Sequence, residues 1–597
     1  MEEPEPQSPQ LGLGGPQGLF QPAPAPPLWR DGCLWGLLAL GLAIQAYVWL
    51  VVLRTTGGQI GAPLDDTYIH LTFARSLLRG QGFSYNPGEP VPGATSPAWV
   101  VLLAAAAGSE RWLLPASLLL SVLFYLATGM AVGRLARRLE LGAAAAFLAG
   151  AMTLACGRLI WAGASGMEPC AFAFFSLLAA GAHLRDRRLG GPGPLTALLL
   201  GLAAGFRPEG YLLCLIAALD HAIEYDPDKR LFHWTARPYR RRRAVGAAVV
   251  LTLLIAPYVG FCLSANGRLF PNTYYVKRNL AFIVPPWIHL RETLKTLVSP
   301  RLGFFFLFLA PGILGQMILS YRGTGQRWAA LRRARILWLW PVGLTAANTL
   351  FNPTNLPHFG RYWIPILPFP ILLSVLGLGA SAEWLRMALR RQGAERAALY
   401  ARRALKAAVA ASALLALSQI PTWARITGRC VDNINDQQVA IGRWVGQTLP
   451  PEASIATHDI GAIAFYGQRR LIDIFGLVTT PVMRILRSDP EMGILGSLPV
   501  SEYIRSRRPQ YVIAYDNWFS TCAKHPEAFR EVFRADLGDK NLICGDALMR
   551  VWQADWDRYD PKVDQDSLYG RSYPGYSQGY GAQAAPTTPT TTLRTGD

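Results

Sequence analysis

Apolar stretches long enough to cross a bilayer recur along the 597-residue chain, with short polar connections between them. They fall at roughly 33–53, 112–133, 141–159, 168–184, 194–206, 209–222, 244–264, 302–321, 336–351, 363–380 and 404–420. The pattern predicts about 11 transmembrane helices. The pair at 194–222 is short and is split by Arg207-Pro208-Glu209-Gly210, as a re-entrant hairpin would be. Pro97 to Ala107 is too short to span and is expected in the interface. After about Thr422 the pattern changes. Gln437 to Leu449 reads as a helix, and Ser454–Thr457, Ile463–Tyr466, Leu471–Ile474 and Tyr511–Ala514 read as strands bounded by Gly, Pro or charge. The fold class expected is therefore a polytopic α-helical membrane protein: a tail at 1–30, a transmembrane domain at 31–421, an α/β domain at 422–560 and a low-complexity tail at 561–597. Both tails have the composition of disordered segments.

Composition agrees: 51% of residues are hydrophobic, 18 are Trp and the mean hydropathy is positive. The formal charge of +19 would suit a nucleic-acid partner if it formed one surface. It does not. Arg134–Arg138, Arg185–Arg188, Arg237–Arg243, Arg332–Arg335 and Arg386–Lys406 sit on alternate connections, which is how cytoplasmic loops are marked. This predicts a multi-pass protein of the plasma (inner) membrane and no nucleic-acid partner. The N-terminus is expected in the cytoplasm and everything after Trp423 outside. The eight cysteines have no metal-ligand spacing, and an extracytoplasmic domain would leave Cys522 and Cys544 open to a disulfide.

The first outer connection, 54–111, contains adjacent carboxylates, Asp65 and Asp66. Asp65 to Arg79 is amphipathic at helical spacing and is expected to lie in the interface plane. One acid would cap such a helix; a pair beside a membrane cavity can also supply a base for a hydroxyl proton. Glu168 begins a span from the outer side, where it can meet a sugar hydroxyl, a metal or only the helix dipole. Arg207 and Glu209 are placed to pair with each other. Tyr274, Tyr275, Lys277, His358 and Arg361 put cations beside aromatic rings on two further outer connections. A guanidinium at the mouth of a span fits a phosphate partner or an interfacial anchor. A divalent cation bridging the acids and a phosphate is compatible with these residues but not required by them.

Taken in order, Asp65-Asp66-x-Tyr68-Ile69, Leu77-x-x-Gly80-x-Gly82, Tyr85-Asn86-Pro87-Gly88-Glu89, Thr95-Ser96-Pro97, Ser165-Gly166-Met167-Glu168, Arg207-Pro208-Glu209-Gly210, Pro271-Asn272-Thr273-Tyr274-Tyr275, Gly360-Arg361-Tyr362 and Ile472-Asp473-Ile474-Phe475-Gly476-Leu477 resemble the integral-membrane glycosyltransferases of the GT-C superfamily. Within it, the likeness is to the actinobacterial terminal arabinofuranosyltransferases that finish cell-wall arabinan. The resemblance implies a polyprenyl-phosphate sugar donor, a glycan or glycolipid acceptor and catalysis on the outer face. It puts Asp65 and Asp66 in the place of the catalytic acids. Lys277, His358, Arg361 and Arg207 would surround the donor phosphate, and Glu168, Glu209, Tyr274 and Tyr275 would serve the acceptor or support the site. Asp473 would be structural. Pro92-Gly93 departs from the arabinan enzymes and bears on the sugar rather than on the transfer.

Two other classes compete. A transporter or flippase of lipid-linked sugar would use the acids as a relay, but needs charges deep within spans and matched halves. An assembly scaffold would leave the acids and Arg361 without a role. Glycosyl transfer accounts for more of the residues.

Overall fold

A computed structural model describes residue 27 and residues 30–139, 141–189, 191–226, 231–234, 241–280, 286–291, 334–351, 357–391, 395–488 and 498–559. The expected span at 302–321 and most of both tails lie outside them, and of His358 only the backbone is described.

The first helices, in order, are α1 (Gly32–Thr55), α2 (Asp66–Leu78), α3 (Pro97–Ala107), α4 (Leu113–Arg138), α5 (Ala143–Ala155), α6 (Gly157–Gly163), α7 (Pro169–Arg188), α8 (Pro194–Phe206) and α9 (Gly210–Ala222). A short antiparallel hairpin follows, β1 (Ile223–Asp226) with β2 (Leu231–Trp234), then α10 (Arg241–Asn266) and α11 (Asn272–Leu280). Among the described residues, three helices are long and apolar enough to cross a membrane: α1, the run Glu110–Arg138 that contains α4, and α10. The α5–α6 pair makes a fourth if counted as one broken span. Five shorter apolar helices accompany them, including α3, α8 and α9.

Small residues let these helices approach closely. Leu37 of α1 fills the hollow left by Gly133 and Gly150, where an added Cβ would stand 2.8 and 2.5 Å from it. The span expected to run straight over 141–159 is instead bent by 66° between α5 and α6. The indole of Trp423 occupies the space at Gly157, within 1.8 Å of where a Cβ would be.

Four of the five basic blocks gather at one end of this bundle. Arg134 lies 3.6 Å from Asp31 at the start of α1. Buried Asp220 takes Arg335, Arg187 and His183 at 2.8, 3.2 and 2.7 Å, and Asp186 takes Arg243 at 2.7 Å. At the opposite end lie the loop after α1, the start of α7 and the α8–α9 turn, and those carry the acids.

The C-terminal part is a five-stranded sheet in the order β4-β3-β5-β7-β6, with β3 (Ser454–Thr457), β4 (Arg470–Asp473), β5 (Tyr511–Tyr515), β6 (Phe529–Asp536) and β7 (Leu548–Ala554). β3 runs parallel to β4 and β5, and β7 antiparallel to β5 and β6. Side chains alternate between faces. Ile455, Ile513, Met549 and Val551 join the apolar core that continues into the membrane helices. Ala456, Val512, Ala514 and Trp552 pack on the other face against Val482, Val500 and Ile504. Cys544 belongs to the first cluster and Cys522 to the second, and the disulfide left open by the sequence is not formed.

Two expectations are corrected here. Ile463–Tyr466 is not a strand but part of the helix Ala462–Gly467. α2 is not a one-sided interfacial helix: Tyr68, Leu71, Phe73, Arg75 and Ser76 are all buried, because that second helix lies against it. The contact is polar at both ends. Asp65 accepts from the backbone N–H of Gly461 and Ala462 at 2.8 and 2.7 Å, while Arg75 donates to the carbonyls of Phe465 and Ala464 at 2.6 and 3.3 Å. Acceptor oxygens satisfy the unpaired N–H groups at the N-terminus, and a cation at the C-terminus suits the helix dipole. The loop after α2 fastens the same contact. Tyr85 donates to the carbonyl of Ile460 at 2.5 Å, and the Asn86 amide pairs with both backbone groups of Leu471 on the β4 edge.

Replacing Asp65 with Ala should leave two buried N–H groups unpaired and cost about 3 kcal/mol or more. Gly461→Ala should weaken the same contact, because its Cβ would lie 2.1 Å from the Asp65 carbonyl oxygen. The double variant should be less destabilised than the sum of the two. Thermal unfolding in detergent checks both points; additive losses would show that the two residues act separately.

Candidate active site

α2 starts at Asp66, and its carboxylate meets the guanidinium of Arg361 at 2.7 Å. Arg361 follows two consecutive left-handed residues, Phe359 (φ 61°) and Gly360 (φ 65°). A non-glycine residue in that region is strained, and the turn aims the arginine inward. Next along the chain, the Tyr362 hydroxyl accepts from Lys277 Nζ at 2.8 Å and from Arg361 Nη2 at 3.3 Å. Arg207 faces the same ring, 4.9 Å from its centroid. Arg207 is forked onto Glu209, with contacts of 2.8 and 3.2 Å, and reaches Glu168 at 2.8 Å. The sequence expectation that Arg207 and Glu209 pair is met, and Glu168 joins them.

Glu168 arrives there through a turn at Gly166 (φ 70°), where a Cβ would meet Ser117 and Thr67 at 2.9 Å. Thr67 fastens the turn by donating to the carbonyl of Ser165. His70, four residues after Asp66, places Nε2 3.2 Å from Glu168 Oε2. The Asp66 side chain is 34% exposed and that of Arg361 only 7%, so the site presents a reachable carboxylate above buried cations.

Charge sets the state of these groups. Burial works against the Arg207 cation, but Glu209 and Glu168 outweigh it and hold the guanidinium above its ordinary range. Burial likewise opposes the Arg361 cation, and Asp66 more than compensates. Burial would raise Tyr362, yet Arg361, Lys277 and Arg207 bring the phenol down to about 8. A hydroxyl oxygen held by two cations, with a third over its ring, shows what these cations favour: an oxyanion.

Six of the ten predicted residues thus share one network: Asp66, Glu168, Arg207, Glu209, Lys277 and Arg361. Asp65 points away, into the backbone of Gly461 and Ala462. Burial and then Asp459 push it well above the usual carboxylate range. Burial also works against the Asp459 anion, but His458, Gln438 and Tyr515 hold it low, so the proton of this pair belongs to Asp65. Tyr274 packs at a tilt on Phe270, and Tyr275 lies beneath Arg268 and Arg487; among the described residues neither hydrogen-bonds to the network. Their motif docks α11 instead: the Asn272 N–H and the Thr273 hydroxyl bond the carbonyls of Pro92 and Gly93 at 2.8 Å each. Gly93 is needed there, since a Cβ would stand 2.7 Å from Val478. Asp473 closes a turn by accepting from Phe475 and Val478 at 2.7 and 2.8 Å.

Sequence reasoning missed His70, Tyr362 and Arg158, whose Nη1 lies beside Gly360. Tyr362 stood in the Gly360-Arg361-Tyr362 motif and His70 in the helix expected over 65–79, neither with a role of its own; Arg158 sits inside an apolar stretch and had no such signal. Among the described residues no group of three or more His, Cys, Asp or Glu is arranged to hold a metal ion.

Tyrosinate absorbance should show one phenol ionising at about pH 8, absent from Tyr362→Phe. Between about pH 8 and the ordinary phenol value of 10.0 the unfolded chain keeps this proton and the folded chain has lost it. Stability owed to Tyr362 should therefore rise with pH across that window and fall away below it. An unchanged titration in Tyr362→Phe would overturn the assignment.

A family profile described as a domain of unknown function (DUF8728) matches residues 432–564. No curated protein matches the sequence. Among solved structures, ArnT from Cupriavidus metallidurans in the apo state superposes over 88% of this chain and 99% of its own, with a TM-score of 0.52 at 14% identity. The same protein bound to undecaprenyl phosphate gives 0.51 at 12% identity over the same shares. The arabinofuranosyltransferase AftD from Mycobacteria aligns with 86% of this chain, which spans 41% of AftD, with a TM-score of 0.45 at 17% identity. The bundle and the appended sheet together share the fold of ArnT.

Proposed function

We propose that this protein is a membrane glycosyltransferase that moves a sugar from a polyprenyl-phosphate donor to a hydroxyl of a cell-envelope glycan or glycolipid, on the outer face of the plasma membrane. The observation that carries this reading is the reachable Asp66 carboxylate held against buried Arg361, with Lys277 converging on the same tyrosine hydroxyl. Asp66 takes the acceptor proton as the acceptor oxygen bonds to the anomeric carbon. The bond from that carbon to the phosphate oxygen breaks, and Lys277 and Arg361 stabilise the departing anion, with Arg207 behind them. ArnT, whose fold this chain shares, has been solved with undecaprenyl phosphate, which supports a lipid phosphate as the leaving group. The location supports it too, since a site at the end of the bundle lets a lipid donor react without leaving the bilayer. Asp65 serves this chemistry by holding α2, and so Asp66, in place. Arabinofuranose is the first donor sugar to try, on the strength of the sequence motifs alone. Outer-face orientation rests on the basic blocks at the far end of the bundle.

Asp66→Asn should lower sugar transfer in membranes supplied with polyprenyl-phosphate sugars by about 100-fold or more, at normal protein level. Full activity would remove Asp66 as the base. Arg361→Ala should release Asp66 and raise the donor KM together. For orientation, a cysteine placed at exposed Gln59 should react with an impermeant maleimide added outside the cell. Labelling only after the membrane is opened would invert the topology.

A further inference from the structure

His70 is a buried titratable group that the proposed transfer leaves unused. It is only 5% exposed and stands four residues after Asp66 on α2, so the two share one helix face a turn apart. Its Nε2 lies 3.2 Å from Glu168 Oε2. Glu168 in turn is held through its other oxygen by Arg207. The remaining ring nitrogen, Nδ1, is buried and has no hydrogen-bond partner among the described residues. Buried polar atoms are rarely left in this state. A carboxylate at one ring nitrogen selects the tautomer that makes the other a proton acceptor. The arrangement is therefore a carboxylate-oriented imidazole whose accepting nitrogen is unpartnered, on the same helix face as a site acid.

We propose that His70 is a proton relay and positioning residue for Asp66; the proposal rests on the transferase reading above. In the transfer step the acceptor O–H bond breaks as the new C–O bond forms, the old C–O bond releases its electron pair to the phosphate, and the proton reaches Asp66. That proton then passes to His70 Nδ1, directly or through one water. The imidazolium is opposed by Glu168, and it releases the proton to water, which restores both groups. Asp66 paired with Arg361 is a weak base, so an onward acceptor makes its proton uptake productive. The charged groups around His70 are Asp66 on its own helix, Glu168 at the head of α7, Arg207 and Glu209 behind Glu168, and Arg361 beyond Asp66. The other elements packed on α2 are α3 and Ala462–Gly467, which carry no charge, and α4, whose charges lie at its far end.

Sugar transfer from a polyprenyl-phosphate donor is measured in membranes from about pH 5 to 9 for the wild type, H70Q and E168Q, with the donor KM at each pH. The wild type should lose activity on an acidic limb as the imidazole protonates. H70Q should lose about 100-fold in kcat and the limb with it, with the donor KM within about twofold. E168Q should lower kcat as well, because the imidazolium formed in the relay loses the carboxylate that opposes it. A wild-type rate that is flat across the range overturns the relay, and needs no variant to fold. So does H70Q with full kcat, or with a reduced kcat and the limb still in place. A wild-type protein that turns over no donor removes the transferase reading itself and the relay with it, whereas the other outcomes remove the relay alone.

Discussion

The site depends on one short helix being held at both ends. Ala462–Gly467 is too short to be stable alone. It persists because Asp65 supplies the acceptor oxygens for its first N–H groups and Arg75 the cation for its last carbonyls, both from the loop and helix that also carry Asp66. The Arg75 contact contributes about 0.3–2 kcal/mol through the dipole alone, and at the other end the desolvated N–H groups would cost more if left unpaired. Tyr68 packs between the two helices against Phe465 and Tyr466, with ring centroids 5.8 and 5.7 Å away. The sheet is thereby locked onto α2. A helix that might have drifted at a membrane surface becomes a buried, fixed support.

That lock explains why the two aspartates differ. They are adjacent in sequence, yet one faces backbone donors of the C-terminal part and the other faces a guanidinium of the bundle. The pair works as a hinge pin with two loaded sides. Asp65 tolerates burial because two N–H groups meet it and burial favours its protonated form. Asp66 keeps part of its surface open and remains available to a substrate. The balance of charge in the network follows the same economy: each buried arginine has a carboxylate, while Lys277 meets a phenol that its neighbours have made acidic.

Much of this was legible in the sequence, and the limits were physical. The spacing of apolar runs and basic blocks predicted a bundle with charge gathered at one end, and contacts such as Asp186 with Arg243 and Asp220 with Arg335 bring three of those blocks together. Period alone could not distinguish the strand expected at Ile463–Tyr466 from the helix that forms, because its deciding contact comes from Asp65, nearly 400 residues earlier. Nor could it show the bend at Gly157, which exists to admit Trp423. β6 and β7 were missed since polar and charged residues interrupt them, with Arg530, Glu531 and Arg534 in one and Arg550 and Gln553 in the other. Their stability comes from cross-strand pairing rather than from an apolar run. Asp66, Arg207 and Arg361 were found because charge at the mouth of a span is conspicuous. Tyr362 was overlooked because a tyrosine at an interface is ordinary until three cations surround it.

The motifs that carry the likeness to the GT-C superfamily divide the work in a way a sequence cannot announce. Some present chemistry: Asp66 on α2, Glu168 after its left-handed glycine turn, Arg207 with Glu209, and Arg361 with Tyr362. Others are fasteners. Asn86 mimics a strand neighbour for Leu471, Asn272 and Thr273 hold α11 to the backbone at Pro92 and Gly93, and Asp473 closes the turn after β4. The fasteners join the first loop, α11 and the sheet into one rigid frame, and every presenting residue is anchored to that frame or to the bundle beneath it. Precision at the site is therefore bought far from it. An oxyanion placed among Lys277, Arg361 and Arg207 would meet cations that need little reorganisation, which is the condition under which electrostatic stabilisation is most effective.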